Sequence, residues 1–157
     1  YLWGKMGYGA LLFCTALTPD SMSDAMARPE HRGVYEALGH EVMALASAEG
    51  VKPLGFNGFD PDAFLRSDPD DMRVALETMV AHNRKTAKTH SGIWRDLAVR
   101  KRRTEVDAQI GTMIPLAAAH GLEVPVLAKL VELIHAIEDG EKPQSAARVD
   151  EMVSLCG

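Results

Sequence analysis

Residues 2–17 read LWGKMGYGALLFCTAL, and this stretch decides the fold. It has the length of an ordinary helix and is apolar on nearly every side. Lys5 is its only charged side chain. A helix at the surface of a globular protein keeps a polar face, whereas one without such a face must be wrapped by other elements. The chain is therefore expected to build further helices around this one.

Working outward, the sequence supplies them. Thr18, Pro19, Asp20 and Ser21 offer turn and N-cap chemistry. Val34, Leu38, Val42 and Leu45 recur at helical spacing and predict a second helix from Pro29 to Glu49, with Gly50 placed to end it. Val51–Pro61 holds Pro53, Gly55, Asn57 and Gly58 and reads as a loop. A short helix is expected over Asp62–Arg66. Asp68-Pro69-Asp70-Asp71 combines a cap, a first-turn proline and acids at the positive end of a helix dipole, and Met72, Ala75, Leu76, Met79 and Val80 carry that helix to Arg84. Further helices are expected over 92–101, 104–119, Val124–Asp139 and Ser145–Leu155. No useful strand alternation or internal repeat occurs, so the predicted fold class is all-α, with residues 1–157 forming a single helical domain.

Composition agrees with a globular helical protein. Of 157 residues, 46% are hydrophobic and 25% charged, while aromatic residues are few. The net charge of −5 gives no general attraction to nucleic acid or an anionic membrane. No apolar run is long enough to cross a bilayer. Two cysteines, Cys14 and Cys156, do not make a disulfide framework, and a reducing, cytoplasmic setting is the simpler expectation. His82, His90, His120 and His135 are too scattered to suggest a zinc site. The opening Tyr1-Leu2-Trp3 lacks an initiator Met and a basic signal-peptide start, and reads as the beginning of a fragment.

Three segments could carry chemistry. Lys5 either snorkels from its apolar helix to water or sits in a partly enclosed pocket, where a lysine can serve as a general acid. Gly4, Gly7 and Gly9 around it run in the reverse order of a dinucleotide fingerprint and follow no strand, so they point to close approach of another backbone or of a ligand. Ser91 either caps a helix that starts at Gly92 or offers its hydroxyl to a carboxylate, and both are compatible. Thr104-Glu105-Val106-Asp107 is explained by capping alone, with a functional Glu105 as the sharper reading. Arg100-Lys101-Arg102-Arg103 is too short and lacks aromatic partners for nucleic acid, and at least one of its bases is expected to meet an acid.

Taken together, the blocks resemble the C-terminal domain of the ketopantoate reductase (2-dehydropantoate 2-reductase) family. Trp3-Gly4-Lys5-Met6 resembles W-x-K, and Ser91 through Asp96 resembles S-S-M-x-x-D. Thr104-Glu105-Val106-Asp107 with Gly111, then Ala119-His120-Gly121 and Pro125, resembles T-E-I-D-x-x-N-G followed by A-x-x-x-G-x-x-x-P. The likeness runs from Trp3 to about Glu138. Gly9 and Ile110 stand where the family pattern has asparagines, and the spacing from Asp96 to Glu105 is one residue longer, so Ser91 and Gly92 compete for the hydroxyl position.

The resemblance implies a helical domain of the 6-phosphogluconate dehydrogenase C-terminal-like fold. It implies hydride transfer from NADPH to a 2-oxo acid such as ketopantoate, in pantothenate biosynthesis. Lys5 would be the catalytic acid, and Glu105 and Ser91 would bind substrate. NADPH would be held mainly by an N-terminal Rossmann domain that this chain lacks, so the chain alone would be inactive, and a homodimer is possible. The departures at positions 9 and 110 imply a different 2-oxo acid, bulkier or less hydroxylated. The alternative is a non-catalytic helical interaction or dimerisation module, since packing, caps and glycines explain each residue singly. A G-x-G-x-x-G upstream of Tyr1 would separate the two.

Overall fold

The computed structural model describes residues 2–55, 58–86 and 88–156. Phe56 and Asn57 of the expected loop lie outside the described residues. In chain order the α-helices are α1 (Leu2–Thr15), α2 (Met22–Ala27), α3 (Arg32–Ala48), α4 (Pro61–Arg66), α5 (Pro69–Arg84), α6 (Gly92–Arg95), α7 (Met113–Ala119), α8 (Pro125–Glu138) and α9 (Ala146–Val153). No strand occurs among the described residues, and the fold is all-α.

The apolar first helix is wrapped as its sequence requires. Leu11, Phe13 and Cys14 of α1 are buried, and α1 lies along α3. In turn α3 touches α4, α5, α7, α8 and α9. Gly4 and Gly7 are packing glycines. A Cβ at Gly4 would overlap the Leu54 carbonyl oxygen, and one at Gly7 would come within 2.6 Å of the Phe59 ring. The loop after α3 thus lies directly on α1, and Phe59 stacks on Phe64 of α4 with ring centroids 4.8 Å apart.

Caps set most helix starts. Asp60 and Asp68 accept the free N–H groups of α4 and α5. Val124 has no capping side chain, and Glu41 of α3 takes that role for α8 instead, accepting from Val126 N at 3.1 Å and Leu127 N at 2.8 Å. Gln144 Nε2 donates to the Ala16 carbonyl at 2.7 Å, and Ser145 N to that of Leu17 at 2.8 Å. These bonds tie the α9 segment to the end of α1.

Several expected boundaries are corrected. The first helix stops at Thr15, and Ala16 and Leu17 turn away while staying fully buried. Ser21 caps a helix, α2, that is too short to show a period. Pro29–His31 is a 3-10 turn, so the next helix begins at Arg32. The expected helix over 92–101 is α6 followed by a π turn, Asp96–Arg100, ending at Lys101 in the left-handed region (φ 53°). Asp96 fixes this turn, its carboxylate accepting from the side chains of Arg100 (2.9 Å) and Arg102 (2.8 Å) and its backbone carbonyl from the Arg102 N–H (3.0 Å). The expected helix over 104–119 begins with a second π turn, Asp107–Gly111, before α7.

Candidate active site

Lys5 is exposed on α1 and forms no hydrogen bond or ion pair among the described residues. It lines a cavity of about 420 Å³ between α1 and the second π turn. Leu2, Met6, Ala108 and Ile110 make that cavity's walls apolar, and Gln109 is the only other polar side chain in it. An unpaired ammonium in an apolar recess is suited to a small anion or a carbonyl oxygen, which it can meet as hydrogen-bond donor and charge together.

Gly9 opens onto the same cavity, and no atom lies within 4 Å of a Cβ placed there. The three glycines of α1 therefore divide. Gly4 and Gly7 admit the loop backbone and an aromatic ring, while Gly9 leaves space.

Glu105 is exposed and borders a second cavity of about 460 Å³, together with Asp96, Arg102 and Arg103. Gln109 lines this cavity as well, and its Nε2 donates to Glu105 Oε2 at 2.8 Å. Lys5 and Glu105 do not pair directly. Gln109, which the sequence reading did not single out, lines both cavities.

Ser91 is 2% exposed and lines neither cavity. Its Oγ accepts from Trp94 N at 3.1 Å, so it is the N-cap of α6, and Gly92 is that helix's first residue. Trp94 is fixed in turn by donating its ring N–H to the Thr18 carbonyl at 3.0 Å and by contact with the His90 ring. Asp96 borders the Glu105 cavity. Burial disfavours its charge, yet hydrogen bonds from Arg100 and Arg102 outweigh that and hold its carboxyl below the usual range.

The Glu105 segment is anchored from behind. Glu138 of α8, with a side chain only 1% exposed, accepts from Thr104 N (2.7 Å), Thr104 Oγ1 (2.8 Å), Arg103 (3.1 Å) and His135 Nδ1 (2.9 Å). His135 Nε2 meets Asp107 Oδ1 at 2.8 Å. The basic run thus does meet acids, Arg100 and Arg102 at Asp96, and Arg103 at Glu138 and Asp139. His135 and Glu138 escaped the sequence reading because they lie on a helix distant in sequence from Thr104.

A family model described as "Ketopantoate reductase PanE/ApbA C terminal" matches residues 2–138. No curated protein and no solved structure matches the chain.

Proposed function

The chain belongs to the ketopantoate reductase C-terminal family, and from that premise we propose that it is the substrate-binding part of an NADPH-dependent reductase that converts a 2-oxo acid into its 2-hydroxy acid. One observation carries the proposal: Lys5, the only charge on α1, stands unpaired in an apolar cavity beside the Glu105 segment.

Among the described residues no strand precedes the α1 glycines, and Gly4 and Gly7 are filled by Leu54 and Phe59. The chemistry assigned to this chain is therefore on the substrate side. NADPH, held by the nucleotide-binding domain of the full-length protein, supplies the hydride to the carbonyl carbon. Lys5 donates a hydrogen bond to the carbonyl oxygen, stabilises the negative charge that develops there and passes its proton to it. Glu105 orients the polar groups of the site. Ser91, buried and outside both cavities, caps α6 and is assigned no contact with the substrate.

The test is NADPH consumption by the full-length protein over a panel of 2-oxo acids, for wild type and Lys5→Ala. The best substrate should lose turnover by about 100-fold or more in the variant, the usual scale for removing a general acid. Unchanged turnover in Lys5→Ala would exclude the lysine from the reaction. Efficient reduction of ketopantoate would exclude the shift toward another 2-oxo acid that Gly9 and Ile110 suggest.

A further inference from the structure

Another cavity, of about 410 Å³, lies between the left-handed turn at Lys101 and the loop that joins α8 to α9. Lys101, Arg102 and Lys142 line it, against one carboxylate, Glu138. Leu97, Ile137 and Pro143 give it an apolar side. The acids around it are already in demand. Asp96 is shared by Arg100 and Arg102, and Glu151 by Lys142 and Arg148. Glu138 takes Thr104, Arg103 and His135 on its two oxygens. Asp139 and Glu141, in the same loop, do not line the cavity. The Lys101 ammonium forms no hydrogen bond or ion pair among the described residues. Gathering three cations costs repulsion that these shared acids only partly offset, and a bound anion relieves it. The family match ends at residue 138, so the wall that carries Lys142 and Pro143 lies beyond it.

We infer that this cavity binds a phosphate monoester, and that its occupation is felt in the Glu105 cavity through Arg102. Three cations against one carboxylate suit a dianion better than the single charge of a carboxylate. A phosphate monoester carries a charge of about −1.5 to −2 at pH 7. The Arg102 guanidinium and the two ammonium groups can donate to its free oxygens, and the apolar side receives the carbon chain of the ester. Arg102 also lines the Glu105 cavity. A bound phosphate draws that guanidinium away from Asp96, and the attraction for an anionic substrate on the Glu105 side weakens. This second step rests on the 2-oxo acid reading, whereas the binding itself does not.

The experiment titrates the full-length protein, its nucleotide site saturated with NADPH, in a calorimeter with butyl phosphate, inorganic phosphate and butyrate. Butyl phosphate should bind tightest, inorganic phosphate less tightly for want of a chain, and butyrate least. Lys101→Asn removes the ammonium with a residue that tolerates the left-handed conformation, so the variant should melt with wild type. It should weaken butyl phosphate by about tenfold or more, and Lys142→Gln should do the same. In turnover on the best 2-oxo acid, butyl phosphate should raise KM at unchanged kcat in wild type and have no effect in Lys101→Asn. No saturable binding, or binding that survives in both variants, would overturn the site. Butyrate binding that matches the ester and is lost in Lys101→Asn would overturn the phosphate assignment. A KM that does not move, or that rises equally in Lys101→Asn, would overturn the link through Arg102. A protein that binds butyl phosphate as expected and reduces no 2-oxo acid would leave the site standing and overturn the reductase reading instead.

Discussion

Gly9 and Ile110 both stand where the family pattern has asparagine, yet their surroundings differ. Both line the Lys5 cavity, but Gly9 has no atom within 4 Å of an added Cβ, whereas the Ile110 side chain is packed to 1% exposure. Restoring the amide should therefore be easy at one position and damaging at the other. Gly9→Asn is expected to fold with stability within about 1 kcal/mol of wild type, since removing a glycine from a helix offsets the weak helix preference of asparagine. Ile110→Asn is expected to cost about 3 kcal/mol, through lost apolar burial and a buried amide without a partner. Urea denaturation of the two variants measures this. A neutral Ile110→Asn would mean that the π turn can swing its side chain outward. Lys5 was legible in the sequence because an isolated charge in an apolar run is conspicuous. Gln109 was not, because a glutamine four residues after a glutamate looks like any exposed helical pair until the second cavity is seen beside it.

At the level of elements, the π turn that follows Glu105 is latched to α8 by His135. Its ring nitrogens meet Glu138 at 2.9 Å and Asp107 at 2.8 Å, and both can donate only if the ring is protonated. Burial opposes that charge, but hydrogen bonds and attraction from Asp107 and Glu138 outweigh burial and raise the pKa above 6.5. A raised folded-state pKa stabilises the fold fully below the unfolded value, near 6.5, and that contribution disappears as pH rises through the folded value. His135→Gln should therefore be less stable than wild type at about pH 6, and the gap should narrow toward about pH 9. Denaturant melts of both proteins across that range check it, and a gap that widens with pH would show that the latch is not cationic. The same scale shows what sequence reveals about elements. α5 and α8 were legible because Pro69 and Pro125 sit at their first positions and apolar residues recur at regular intervals. α2 has six residues, fewer than a period needs, although its Ser21 cap was visible. The π turns follow from where Asp96 gathers its arginines and where Glu138 anchors Thr104, and such contacts leave no periodic trace.

For the molecule as a whole, the all-round apolar stretch 2–17 implied its own central position, and the packing of α1 along α3 agrees. The family match ends at residue 138, but the chain beyond it is fastened to the same core. Asp150 meets the buried His31 at 2.6 Å, and Gln144 and Ser145 bond the carbonyls of Ala16 and Leu17, just past the end of α1. Among the described residues no strand is present to lead into a dinucleotide-binding glycine turn. Such a turn presents its backbone N–H groups and the following helix dipole to the pyrophosphate. The glycines of α1 lie inside a helix that follows no described strand, and two of them are occupied by Leu54 and Phe59. Net charge gives no compensating attraction, at −5. The isolated chain should accordingly bind NADPH weakly or not at all, while the full-length protein should bind it stoichiometrically. Nucleotide fluorescence titrations of both check this. The isolated chain should show no saturation at micromolar cofactor. Tight one-to-one binding by the chain itself would mean that its helical surface carries the cofactor site, and would overturn the proposal that this chain supplies only the substrate side of the reaction.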